Sequence, residues 1–113
     1  MRKLRIHDAA TLEASEAAVW YERERPGLGA EFEQAIDRAL DVLEQDVVPL
    51  ATMPGAAGKR GAKRLFLKRF PYAVIVREYP TEILVVAFAH FAKRPRYWLG
   101  RLGSSISHSK ASL

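Results

Sequence analysis

KRLFLKRFPYAVIVREYPTEILVVAFAHFAKRPRYW, residues 63–98, decides the fold. Leu65 and Leu67 alternate with Phe66 and Lys68, which is the two-residue period of a strand. Pro71 has no N–H to give a ladder and belongs at a turn or a strand start. Tyr72 to Tyr79 is mostly apolar on both faces, as a central strand is, and Ile83 to His90 is continuously apolar. Pro80 and Thr81 leave room only for a tight turn. Connections this short predict antiparallel pairing of the three strands.

Working back toward the N-terminus, Leu4 and Ile6 alternate with Lys3 and Arg5, a half-buried strand. Asp8 stands where a helix N-cap is expected. A helix to about Arg25 follows, with Ala10, Ala14, Ala17, Ala18 and Tyr21 at helical spacing and Pro26-Gly27 ending it. The second helix carries Leu28, Phe32, Ala35, Ile36, Ala39, Val42 and Leu43 on one face and mostly acids on the other. Two such helices form a hairpin whose apolar side needs a sheet to cover it. Pro49, Pro54, Gly55, Gly58 and Gly61 predict a loop over 47–62. Pro95 fits the first turn of a short helix within Ala92–Leu102. The tail GSSISHSKASL has little to bury and is predicted to be disordered. The fold class is therefore α+β, in the order β-α-α-β-β-β. A twisted, mainly antiparallel sheet carries the helix hairpin on one face and is followed by a short C-terminal helix. Residues 1–102 form one domain and 103–113 a tail.

The chain has 113 residues and no cysteine, which excludes a disulfide framework and thiolate zinc sites and fits a reducing cytoplasm. No apolar run is long enough to span a bilayer, and no membrane partner is expected. Residues 1–46 hold 6 Lys/Arg against 11 Asp/Glu, and residues 47–113 hold 12 against 2. Either the acidic helices lie against the basic sheet within one fold, or the basic half meets an acidic partner.

The histidines and carboxylates have no metal-ligand spacing, and no glycine motif cradles phosphate, so no metal and no cofactor are expected. What remains is cationic: Arg64, Lys68, Arg69, Arg77, Lys93, Arg94 and Arg96 lie on strands or strand ends. Arg77 sits in an apolar strand, where its charge needs a partner; a carboxylate such as Glu78 or Glu82, or solvent at the strand end, is the simpler account. His90 reads first as a structural hydrogen-bonding residue and second as a proton shuttle. Trp98 reads as core, and Tyr97 as core or a stacking surface. RNA cleavage by 2′-hydroxyl attack needs a base, an acid and cations for the phosphorane; Arg64, Arg77, His90, Arg94 and Tyr97 are the candidates.

EAAVWYERERPGLGAEFEQAI (16–36), KRFPYAVIVRE (68–78) and AHFAKRPRYW (89–98), in this order and spacing, resemble the RelE/ParE superfamily of toxins from bacterial type II toxin–antitoxin pairs, including plasmid stabilisation proteins. The resemblance covers roughly residues 2–102. It implies a growth-inhibiting toxin neutralised by a cognate antitoxin that orders on binding, with a homodimer or a toxin–antitoxin hetero-oligomer as the assembly. RelE-like members cut mRNA on the ribosome, and ParE-like members poison DNA gyrase. The nuclease branch usually has arginine after the aromatic residue opening the middle strand; here Ala73 follows Tyr72. WYERERPGLG (20–29) and the FPYA entry look more ParE-like. The resemblance therefore implies a non-nucleolytic gyrase inhibitor, with Arg64, Lys68, Arg69, Lys93, Arg94 and Arg96 as target contacts. The alternatives are a ribosome-dependent endoribonuclease and a non-toxic member that binds only its antitoxin.

Overall fold

The computed structural model describes residues 3–45, 50–103 and 107–109. Six strands, β1 (Lys3–His7), β2 (Ala51–Thr52), β3 (Ala62–Phe66), β4 (Tyr72–Glu78), β5 (Glu82–His90) and β6 (Ser107–Ser109), form one sheet in the order β2-β3-β4-β5-β1-β6. β1 runs parallel to β5, and every other pair is antiparallel. Helices α1 (Asp8–Glu24) and α2 (Leu28–Gln45) cover one face. The short α3 (Gly55–Lys59) and the segment after β5 pack on the other.

The alternation of each strand divides the core in two. Leu4, Ile6, Val74, Val76, Ile83 and Val85 face the helices, against Phe32, Ile36 and Leu40 of α2. Ala73, Ile75, Leu84 and Val86 face the other way, against Ala57, Trp98 and Leu102. Both layers are apolar because both faces of β4 and β5 are covered. Between Ile75 and Val76 the register slips: Ile75 pairs Ala87 while Val76 pairs Val85. Val86 is the extra residue of this bulge, which bends β5 and turns Phe88 back toward the helices.

The α1–α2 junction is closed by Glu22. Its carboxylate accepts from the backbone N–H of Gly27 at 3.0 Å and of Gly29 at 3.1 Å, both otherwise unbonded donors at the start of α2. Gly29 lies so close to α1 that a Cβ there would stand 2.7 Å from the Ala18 carbonyl oxygen.

The α+β class and the hairpin-on-sheet arrangement agree with the sequence; four local expectations do not. Asp8 is not the cap: the His7 Nδ1 accepts from Ala9 N–H at 3.1 Å, and Asp8 is the first residue of the helix. The predicted 47–62 loop contains β2 and α3, while 46–49 lie outside the described residues. Gly58 was read as a loop signal, yet it is there for close approach: a Cβ would sit 1.7 Å from the Met53 carbonyl oxygen. The predicted C-terminal helix is reduced to one 3-10 turn, Leu99–Arg101. Pro95 disfavours helix at Arg94, and Arg96 has a φ of 61°, so no α-helix runs through them. In the tail, Ser107–Ser109 pairs antiparallel with β1, while 104–106 and 110–113 lie outside the described residues.

The His7 cap carries a pH dependence. Burial, and then the Arg101 cation, hold its pKa below the ordinary 6.5, against a smaller upward pull from Asp8 and Glu13. Between that lowered value and 6.5 the folded chain keeps the ring neutral while the unfolded chain protonates it. The stabilisation is present above pH 6.5 and is lost as pH falls through the lowered folded value. Thermal melts across that range should show Tm falling with pH. His7→Asn, which keeps a capping acceptor without titrating, should flatten that part of the curve. An unchanged slope in the variant would count against the cap.

Candidate interaction site: the cationic end of the sheet

The end of the sheet where β4 begins and β5 finishes gathers most of the expected contact residues. Register places Tyr72 beside His90 and Ala73 beside both Phe66 and Ala89. The 67–71 turn carries Lys68 and Arg69, and the Phe91 N–H donates to the Pro71 carbonyl at 2.9 Å. The chain then continues through Lys93, Arg94 and Arg96. The two non-glycine residues with positive φ, Arg69 (71°) and Arg96 (61°), both lie in these loops. Such backbone is strained and is held by its surroundings.

The cations have different states. Arg69 is committed to α2, 2.9 Å from Glu31, which also holds Arg25 at 3.0 Å; these bonds, Arg69 first, pull the Glu31 carboxyl below its usual range. Lys93 lies over the Tyr97 ring, and Arg64 over Phe66 at 5.1 Å. The Arg64 Nε is buried without a hydrogen-bond partner among the described residues. Lys68, Arg94 and Arg96 form no ion pair with a described residue. Arg94 and Arg96 flank a shallow cavity of about 560 Å³ with Pro95, Tyr97 and Leu99.

The groups needed for RNA cleavage do not converge. Arg77 lies five residues along β4 from Tyr72, about 16 Å at strand rise. It takes no carboxylate among the described residues: its Nη1 donates to the Leu102 carbonyl at 3.0 Å, and the guanidinium lies over Tyr79. The His90 Nδ1 accepts from Ala92 N–H at 2.9 Å, which is the structural role, and its ring packs edge-on against Tyr72. Tyr97 donates its hydroxyl to Glu13, and burial together with that bond pushes its pKa far above 10. It is locked as a neutral donor. Trp98 is core, 2% exposed.

Two features at this end escaped the sequence. Glu13 of α1 reaches past the end of β1 and accepts from Phe88 N–H at 3.1 Å and from Arg101 at 3.0 Å, as well as from Tyr97. Phe66 and Phe91 are 53% and 58% exposed and touch edge to face at 5.7 Å. Alternation placed Phe66 on the same face as Arg64, but nothing in it said that this face is uncovered there.

A second feature lies on the helix side. A groove of about 510 Å³ between α1 and α2 is lined by Ala14, Ala18, Val19, Ile36, Leu40 and Phe88, with Glu33 and Asp37 also on its wall. Thr11 also lines it, and the buried Thr11 hydroxyl has no hydrogen-bond partner among the described residues. Leu12, Val19 and Trp20 of α1 are each more than half exposed. No group of His, Asp or Glu suited to a metal occurs among the described residues, and no described helix is long and apolar enough to cross a membrane.

This architecture, a helical hairpin on a mixed sheet with a basic strand end, defines a known fold. A chain of the structure described as "Chromosomal ParDE TA system from P. aeruginosa" superposes with a TM-score of 0.67 at 18% sequence identity. The match covers 80% of this chain and 96% of that one, so the two share the fold. No protein-family model and no curated protein matches the chain by sequence.

Proposed function

We propose that this chain is the toxin of a type II toxin–antitoxin pair and inhibits DNA gyrase through the cationic end of its sheet. The observation that carries this reading is a basic sheet end whose candidate nuclease groups are separated or already engaged. His90 caps a turn, Tyr97 is bonded to Glu13, Arg77 is at the other end of β4, and Ala73 stands where the nuclease branch of the family this chain resembles usually has an arginine. Lys68, Arg94 and Arg96 are left to meet an acidic surface. The fold shared with a ParDE TA chain supports the toxin role.

The α1–α2 groove supports an antitoxin partner. It is apolar at its base and acidic in Glu33 and Asp37, so it suits an amphipathic segment with basic flanks that orders on binding. The pair acts in the cytoplasm, where gyrase works.

The test is plasmid supercoiling by purified gyrase with the protein titrated in. Lost supercoiling or accumulated cleaved DNA is expected, weakening as salt rises. Joint replacement of Lys68, Arg94 and Arg96 by glutamate should weaken inhibition about ten-fold or more, since like charge across an interface costs several kcal/mol. No effect at high excess would overturn the gyrase assignment and pass the question to ribosome-bound mRNA.

A further inference from the structure

We propose that Phe66 and Phe91, with Arg64, form a stacking platform for an unpaired base of single-stranded nucleic acid. This goes beyond the gyrase reading and stands or falls separately from it. The two rings are the exposed aromatic residues of the sheet side, and they meet at 82°, so together they make an L-shaped corner. Both are held on rigid backbone. Phe66 ends β3 in register with Ala73, and Phe91 is fixed by its bond to the Pro71 carbonyl. The row Phe66, Ala73, Ala89 runs across three strands, so the floor beside the corner is made of methyl groups.

The charge around the corner selects the occupant. No acid occurs between Asp46 and Glu78, and none after Glu82. Glu78 and Glu82 lie at the opposite end of the sheet and face Lys63 and Arg5. The Arg64 guanidinium lies over one face of the Phe66 ring, so the corner carries a cation of its own. Exposed aromatic faces beside cations are the arrangement that binds single strands: cations track phosphates and rings stack bases. A protein segment is served better by the other face, where the apolar groove is continuous and its wall is acidic. Stacking needs a free base, so duplex, whose bases are already stacked, should bind through charge alone.

The experiment is fluorescence anisotropy with end-labelled oligo(dT) of twenty residues and with a duplex of equal length, across a salt series. The single strand should bind more tightly. Phe66→Ala and Phe91→Ala should each weaken it about ten-fold or more while leaving the salt slope unchanged. Phe66→Trp should retain binding. Arg94→Gln should lower the slope for both probes. Both phenylalanines are more than half exposed, so the variants should melt with the native protein, which the same samples check. Equal binding of both probes, or alanine variants that bind oligo(dT) like the native chain, would overturn the proposal. So would alanine variants that lose self-association or antitoxin binding but keep oligo(dT), since the corner would then be a protein interface.

Discussion

Phe32→Ala should destabilise the protein by about 3–5 kcal/mol, a large part of the total stability of a domain this size. Phe32 is fully buried, and its ring lies 5.1 Å from Tyr21, 5.2 Å from Phe70 and 5.1 Å from Tyr72. These come from α1, the 67–71 turn and β4, so one side chain joins the hairpin to the sheet where the cationic turn leaves it. The cost has two parts: the lost transfer of a large ring, and aromatic contacts, edge-to-face with Phe70 and Tyr72 and tilted with Tyr21, each worth roughly 0.5–1.5 kcal/mol. Rigid rings on three sides cannot collapse into the space. Phe32→Leu, which fills much of it, should cost less than half as much. Urea unfolding should show a lower midpoint at unchanged m-value. A loss below about 1 kcal/mol would mean that the hairpin is held elsewhere. The functional consequence is local: Phe70 supports Arg69, whose guanidinium lies 5.7 Å from that ring, so the turn bearing Lys68 and Arg69 should loosen with the core.

How far the sequence carried this structure depends on the range of the interaction. The second helix was legible because seven apolar positions repeat with one period, and the structure buries Phe32, Ala35, Ile36, Ala39 and Leu43 from that list. The last three strands were legible because their turns are too short for any other pairing. The 47–62 segment was misread because glycine has two uses. Gly61, with φ 90°, is the turn its residue type suggests, whereas Gly58 is where backbone touches backbone. The cationic end was visible as charge but not as geometry. Sequence gave Arg69 and Arg94 the same weight, yet Arg69 is paired with Glu31, 38 residues away, and Arg94 has no partner among the described residues. Arg77 was expected to pair with a carboxylate or to reach solvent at the strand end, and it found a main-chain carbonyl that only the folded C-terminal segment brings to it.

Glu13→Ala should cost about 3–5 kcal/mol, because it takes the counter-charge from a largely buried cation and the acceptor from two neutral donors at once. Past the end of β1, β5 has no strand on that side. The Phe88 N–H there is satisfied by the Glu13 Oε1. The same oxygen takes Arg101, whose Nη1 also reaches the Val86 carbonyl at the bulge, at 3.2 Å. The Glu13 and Arg101 side chains are 13% and 20% exposed, so solvent replaces little of what is lost. Glu13→Gln keeps an acceptor for Phe88 and should cost less, about 1–3 kcal/mol, by leaving the guanidinium without its counter-charge. A double-mutant cycle of Glu13→Gln with Arg101→Met should return a coupling of about 1–3 kcal/mol. Amide exchange at Phe88 should accelerate in Glu13→Ala well beyond the change in global stability, because its bond is lost locally. A cost under 0.5 kcal/mol with Phe88 exchange unchanged would show the contacts to be incidental. The consequence reaches the surface, since Tyr97 and Arg101 fasten the segment bearing Lys93, Arg94 and Arg96 to α1 through this one carboxylate. Releasing it should weaken whatever that segment binds without removing a single cation.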